Sequence, residues 1–508
     1  MLKFFTPTST RSSSNCTSTT IIMTQYSYTP LDTDKQEIRI LRLFPGLRNE
    51  EPIRLAISHE PFVVKSKRVK KSAITKELLE SLPKNWYAYE NLEGRIIYNY
   101  MNFEDGSDYS TWQHPDPSFI QKIHPQDEAI DIKPDYEALS YAWGTADNSE
   151  LVYICSSVDA QGEDFNVSSH SCALLRIRAN LACALRYLRY KDRIRTLWVD
   201  AVCINQLDLE ERSAQVSRMG HIYRLATRVV VWLGPENHKL AMKTLEHLGT
   251  QNDAAKSSCH GPSVECVDRI WWDPLLELPY ETQIWDAISN FLSASWFQRM
   301  WVFQEIQLAS PDSIMIAGES QLLWSLCRRA TIVISVKPKR SIPSNMRDQL
   351  QNIQKLSCAQ TEQTFPNLIC ATSMFKCSQY VDKIYGILGL TPPLLSKRIH
   401  PDYNLSIEDV FRNIFLEHTM LTKRLELLEI CDIKYRIENA PSWVLHFGKP
   451  LNFLSRLGSC ACGFLSACVK YKKPYILEVA GVRGATVSST HPSCVADDAD
   501  LFNIVQRT

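Results

Sequence analysis

Between residues 136 and 234, three compact apolar runs alternate with two amphipathic segments, and that order leaves few folds open. The first run, YEALSYAW at 136–143, ends at Gly144. The second, TLWVDAVCI at 196–204, has the β-branched content of a buried strand, with Asp200 inside it. The third, RVVVWL at 228–233, is stopped by Gly234-Pro235. Between them, Leu174, Ile177, Leu181, Leu185 and Leu188 fall on one helical face over 174–190. Val216, Met219, Tyr223 and Ala226 do so over 209–226. Strands that read as continuous apolar runs are covered on both faces. The expected fold is therefore α/β, with a central, mainly parallel sheet flanked by helices.

Around this core the sequence changes character several times. Residues 1–25 are expected to form a disordered tail. Twelve Ser/Thr, two basic residues and no acids over 1–24 also suit a transit peptide, and Met23 is an alternative start. Residues 26–64 hold the first strands, EIRILRLF at 37–44 and a partner near 52–57. Residues 65–81 read as a linker, opening on the basic run 65–71, where five of seven residues are charged. The segment 134–310 is the expected domain core, with one helix over WFQRMWVFQEIQLA at 296–309. A mostly helical extension follows over 311–450, and then a tail over 451–508 with a late strand near 475–482.

Composition narrows the function. Lys+Arg and Asp+Glu both total 56 in 508 residues, so the chain has no general attraction for nucleic acid or anionic lipid. No apolar run approaches the ~18 residues of a membrane helix. Sixteen scattered cysteines fit a reduced, cytoplasmic setting. Cys259, His260 and Cys266, and Cys460 with Cys462, lack paired zinc spacing, so no metal is expected. There is no GxGxxG loop, Walker A loop or HExxH, and no resident cofactor is implied. Cys203 with His221 is a weak nucleophile pair; a buried structural cysteine is the plainer reading.

The segment 82–117 contains LPKNW, GRIIYNY and TWQHP, with room for three short strands. These residues resemble a WW domain: Leu82-Pro83, Trp86, Gly94-Arg95, Tyr98, Trp112 and Pro115 fall in the family order. The resemblance implies a three-stranded antiparallel module in which Trp86 packs on Pro83 and Pro115. It also implies that Tyr98 and Trp112 grip a proline-rich peptide or protein. Met101 stands where the family usually carries histidine, and Ile97-Tyr98 replaces a pair of tyrosines.

The larger segment resembles the fungal heterokaryon incompatibility (HET) domain. The motifs are YEALSYAWG at 136–144, TLWVDAVCINQ at 196–206, VVVWLG at 229–234, WFQRMWVFQEIQLA at 296–309, DKIYGILGL at 382–390, HPDYNLS at 400–406 and PSWV at 441–444. The resemblance implies fungal non-self recognition and programmed cell death, through self-association or a partner incompatibility protein.

In a parallel sheet, sites lie beyond the carboxyl ends of the strands. That rule selects Trp143, Gly144 and Asp147 after the first strand, and Asp200, Asn205 and Gln206 at the second. It selects Gly234 and Glu236 after the third. Asp208 with Glu211 also suits a helix capping box. Glu305 falls on an apolar helical stripe with Phe297, Trp301 and Leu308, where a carboxylate needs a partner such as Arg299, or a use. HET domains are remotely similar to TIR domains, in which a helix-borne glutamate drives NAD cleavage, and WVFQEI at 301–306 resembles that segment. The resemblance implies Glu305 as a catalytic residue, NAD as substrate, and a stacking role for Trp143 or Trp301. The alternative is a non-enzymatic adaptor working through the WW-like module.

Overall fold

A computed structural model of the chain describes residues 24–47, 51–62, 74–91, 93–102, 108–119, 134–145, 147–155, 172–254, 260–338, 340, 342–358, 364–429, 437, 440–448, 466–473 and 476–480. The expectations for residues 1–23 of the N-terminal tail, the basic run at 65–71, Cys259, Cys460 and Cys462 lie outside the described residues, whereas Thr24 and Gln25, expected in the tail, are strand residues paired with Ala173 and Leu174. The strands are β1 (Thr24–Gln25), β2 (Glu37–Leu43), β3 (Arg54–Pro61), β4 (Trp86–Glu90), β5 (Ile96–Met101), β6 (Asp108–Thr111), β7 (Glu137–Tyr141), β8 (Ser149–Cys155), β9 (Cys172–Arg178), β10 (Arg195–Trp198), β11 (Val229–Gly234), β12 (Asn252–Ala254), β13 (His260–Pro262), β14 (Ile314–Ala317), β15 (Ser320–Leu323), β16 (Cys468–Lys472) and β17 (Ile476–Ala480). The helices are α1 (Lys76–Glu80), α2 (Ala179–Leu188), α3 (Asp200–Cys203), α4 (Leu209–Leu225), α5 (Lys239–Thr250), α6 (Thr282–Leu292), α7 (Met300–Gln307), α8 (Trp324–Val336), α9 (Ser344–Ser357), α10 (Phe365–Thr372), α11 (Asp382–Tyr385), α12 (Pro393–Ser396), α13 (Ile407–Thr422) and α14 (Glu426–Glu429).

Among the described residues, ten strands form one mixed sheet in the order β1-β9-β8-β3-β2-β10-β7-β11-β14-β15. Its centre is parallel, β10 with β7, β7 with β11, and β11 with β14. Val229, Val230, Val231, Leu197 and Trp198 are fully buried there, which is why these strands are continuous apolar runs. Glu137 of β7 holds the register at one end. It accepts from Arg195 and Arg228, each at 2.5 Å, so one carboxylate ties three neighbouring strands together.

Three elements differ from the periodicity reading. The segment 174–190 begins as β9, antiparallel to β8, and turns helical only at Ala179; Leu174 and Ile177 therefore belong to a strand. The strand at 196–204 stops at Trp198, and Asp200 opens the short helix α3. The helix expected over 296–309 is broken at Arg299, which is extended and bridges Lys376. Gln298 accepts from Lys376 N–H and Met300 donates to Lys376 carbonyl, so a neighbouring strand-like segment takes the backbone groups a continuous helix would use.

Helix α4 packs against residues 386–390 with almost no gap. A Cβ on Gly220 would lie 2.6 Å from Gly389 Cα. Helix propensity alone predicts that Gly220→Ala gains about 1 kcal/mol. Backbone against backbone cannot yield, and overpacking costs about 1–3 kcal/mol. Gly220→Ala is expected to lower the thermal midpoint; a rise would show that the close approach is not rigid.

The three-stranded sheet β4-β5-β6 is antiparallel and matches the strand pattern expected at 82–117. Its first turn is pinned to the large domain. Asn91 is fully buried and donates to Asp253 at 3.2 Å, while Glu93 pairs with Arg328 at 3.3 Å and Arg329 at 2.7 Å on α8.

The chain divides into two compact units, residues 1–410 with 447–451, and residues 411–446 with 452–508. The second contains most of α13, α14 and the hairpin β16–β17, with Trp443 between Phe415 and Tyr471. Among the described residues, no helix is long and apolar enough to cross a membrane.

Candidate functional site

A cleft of about 380 Å³ opens at the carboxyl ends of β7 and β10. Its lining includes Trp143, Asp200, Gln206, Arg212, Arg299, Trp301, Lys376, Asp382 and Tyr403.

The turn after β7 depends on Gly144, whose φ of +73° suits glycine. It presents Trp143, whose indole N–H donates to Asp200 at 2.9 Å while Arg178 lies 5.0 Å from the ring centre. Asp200 is at the first position of α3 and also accepts from Ala201 N–H at 2.7 Å. Burial raises its carboxyl, opposed by the charge of Arg299 and by the Trp143 bond. Gln206 caps the same turn by donating to the Asp200 carbonyl at 3.0 Å. Asn205 lies one residue outside the lining, its N–H given to Glu211 at 2.7 Å.

The opposite wall comes from motifs far along the chain. Asp382 opens α11 and accepts from Tyr403 hydroxyl at 3.0 Å and from the Trp301 side chain. Burial pushes its carboxyl up to about 6, with those two bonds and Arg212 pulling the other way. Arg212 lies 3.7 Å over the Tyr403 ring. The next residue, Lys383, donates to the carbonyls of Thr372 at 3.1 Å, Ser373 at 2.8 Å and Phe375, closing the end of α10 and fixing where α11 starts. Asp382, Arg212, Tyr403 and Lys376 were not selected from the sequence. Desolvated Asp382 inside DKIYGILGL was the available signal; an acid before an apolar run resembles an ordinary helix start.

Glu305 is not in the cleft lining. It is 2% exposed and accepts from the Ser140 hydroxyl in the middle of β7, and Ser140 in turn accepts from the Trp296 indole at 2.8 Å. Because the chain breaks at Arg299, the stripe Phe297-Trp301-Glu305 is not a single helical face. Arg299 donates to the Tyr141 carbonyl instead of forming the ion pair considered for Glu305. Burial pushes the Glu305 carboxyl up to about 7, against the pull of Arg299 and the Ser140 bond. Glu305 stands behind the cleft wall, near enough to Asp200 for the two charges to repel.

This burial sets a pH dependence. Between pH 4.5 and about 7 the folded chain holds a proton that the unfolded chain releases, so this contribution is full below 4.5 and is lost as pH rises through 7. Glu305→Gln cannot ionise. Melting curves of variant and wild type are expected to coincide near pH 4.5 and to separate above it, the variant ahead by about 3 kcal/mol at pH 8. A difference independent of pH would mean that the buried carboxyl is ionised throughout.

The remaining sequence candidates stand apart from the cleft. Asp147 and Glu236 are exposed, and Gly234 is the last residue of β11, at a shift of register with β14 and with φ +134°. Cys203 is buried, its thiol pushed up to about 12, while His221 is exposed on α4, so they make no nucleophile pair. Asp208 caps α4 through Glu210 N–H and Glu211 N–H, both at 3.0 Å. Among the described residues, no group of three His, Cys, Asp or Glu is placed to hold a metal ion. In the small sheet, Tyr98 of β5 pairs with Thr111 at the end of β6, and Trp112 follows just beyond the strand. Tyr98 is 3% exposed and packs on His114 at 5.1 Å; Arg95 covers Trp112 at 3.7 Å. Trp86 packs on Tyr100 at 5.6 Å.

Residues 136–305 match the family model for the heterokaryon incompatibility protein (HET). This segment is a HET domain. The chain is also 28% identical, over 321 residues, to heterokaryon incompatibility protein 6, OR allele, of Neurospora crassa, covering 54% of this chain and 46% of that protein. It thus spans about half the length of the curated relative it matches. No solved structure matches. The HET match contains Trp143, Asp200, Arg212, Arg299 and Trp301, whereas Lys376, Asp382 and Tyr403 lie beyond it. The cleft is therefore walled partly by the HET domain and partly by the helical segment after it.

Proposed function

We propose that this chain acts in heterokaryon incompatibility as a cell-death effector, and that its cleft cleaves a nucleotide of the NAD type. The supporting observation is that two carboxylates, Asp200 and Asp382, share one cleft with two guanidinium groups, Arg212 and Arg299, and two indoles, Trp143 and Trp301. Indoles suit a flat ring, guanidinium groups suit a diphosphate, and a carboxylate suits the positive charge that develops at the ribose. The position beyond the strand ends is where α/β sheets bind ligands. The remote likeness of the HET domain to TIR domains points to the same chemistry.

In this reading Asp382 lies against the ribose, and its negative charge steadies an oxocarbenium-like state as the nicotinamide–ribose bond breaks. Nicotinamide leaves as a neutral ring, water adds to the ribose carbon, and the released proton passes to solvent. Glu305, behind the wall, acts on the field around Asp200 and Arg299 and touches no substrate. The adaptor reading has less support, because Tyr98 is buried and the Arg95 guanidinium lies over the Trp112 ring. Regulated expression of the chain in a fungal cell, scored for death, tests the effector role. Release of nicotinamide from NAD by the purified chain tests the chemistry. Death without any release would retain the role and discard the reaction.

A further inference from the structure

Cys155 closes β8 and Cys172 opens β9, and the two are direct register partners at the end of the antiparallel ladder. Their Sγ atoms are 3.0 Å apart although the residues are 17 positions apart in sequence. Both are nearly buried, at 5% and 7% exposure, beside Phe44 and Ala56, with Tyr153 and Ile194 packed around them. Paired residues in an antiparallel ladder have Cα atoms about 4.5–5.5 Å apart. That lies within the range of about 4.4–6.8 Å that a disulfide spans. Closing the bond needs the sulfurs to approach by about 1 Å, to the usual S–S length of about 2.05 Å.

We propose that Cys155 and Cys172 are an oxidisable dithiol that closes into a cross-strand disulfide, making this edge of the large sheet a site of reversible covalent modification. With hydrogen peroxide as oxidant, one thiol becomes a sulfenic acid and releases one water. The second thiol attacks that sulfur, and the oxygen leaves as a second water. Two protons and two electrons pass from the dithiol to the peroxide. A dithiol such as reduced dithiothreitol reverses the step by exchange. Burial and the neighbouring thiol push Cys155 up to about 12, so thiolate is scarce at neutral pH and closure accelerates as pH rises. The bond ties β8 to β9 by removing freedom from the unfolded chain.

The test uses the full chain, treated with hydrogen peroxide, alkylated and digested without reduction. A peptide pair joined through Cys155 and Cys172 is expected, together with a thermal midpoint a few degrees higher, and dithiothreitol should reverse both. The increase should be absent in Cys155→Ser and in Cys172→Ser. Exposed Cys468 reports whether oxidant reached the protein. If Cys468 is oxidised while Cys155 and Cys172 remain open to alkylation after unfolding, or if either joins a different cysteine instead, the proposal is overturned.

Discussion

Asn in place of Asp382 is expected to remove about two orders of magnitude or more of any nicotinamide release by the cleft, while leaving the fold intact. The change keeps the side-chain volume and the acceptor oxygen that Tyr403 hydroxyl uses at 3.0 Å. It removes the charge, and a carboxylate placed against a developing cation contributes ~10²–10⁴-fold in rate. The wild type should also lose activity as pH falls through about 6, where this carboxyl takes up a proton. Glu305→Gln should retain much more of the activity, because its side chain lies outside the lining. Nicotinamide release by the two variants side by side decides the matter. If Asp382→Asn turns over normally and Glu305→Gln is dead, the reacting carboxylate is the buried one and the cleft as described is the wrong site.

The strands of the parallel centre were legible because burial on both faces writes itself as an unbroken apolar run. That held for β7 and β11, where sequence boundaries and structure differ by only a residue or two at each end. It failed at β10, because Val199–Ile204 is as apolar in a short helix as in a strand, and periodicity cannot separate the two over four residues. It failed again at Arg299. A bridge to Lys376, 77 positions on, competes with helical bonding, and no local pattern announces a partner that distant.

The cleft shows the same division. Trp143, Asp200 and Gln206 followed from a rule about strand ends, which needs only the sheet. Asp382 and Tyr403 depend on how 382–390 and 400–406 fold back, and that is set by contacts such as Gly220 against Gly389 and Gln304 accepting from Gly389 N–H at 2.5 Å. Those contacts explain the second glycine in DKIYGILGL, Gly389: the site requires a close approach, which reads as an unexplained motif until the partner helix is seen. Glu305 lies behind the cleft wall for a related reason. An acid on an apolar stripe signals a special environment, and the structure supplies one, a hydroxyl from the central strand, without opening it to ligand.

A buried charge on β2, Arg39, governs the helix that supplies Arg212. Arg39 is fully buried on β2 and forms a fork with Glu211, at 2.5 and 2.9 Å, while donating to the carbonyls of Cys203 at 3.1 Å and Thr29 at 2.7 Å. The sequence suggested that Glu211 would complete a capping box at Asp208. Its carboxylate is committed instead to Arg39 and to the N–H of Asn205. Glu211→Ala strands a guanidinium where water cannot reach it, and removing one partner of such a pair costs about 3–5 kcal/mol. The pair itself need not stabilise the fold, since two charges lose their hydration to make it. Arg39→Met with Glu211→Leu is therefore expected to recover most of the loss, a coupling that separate contributions would not produce. Urea midpoints of the two single variants and the double variant measure it. A loss under about 1 kcal/mol in Glu211→Ala would mean that the carbonyls of Thr29 and Cys203 satisfy Arg39 alone, and that the start of α4, with the cleft wall it carries, is held by its Asp208 cap.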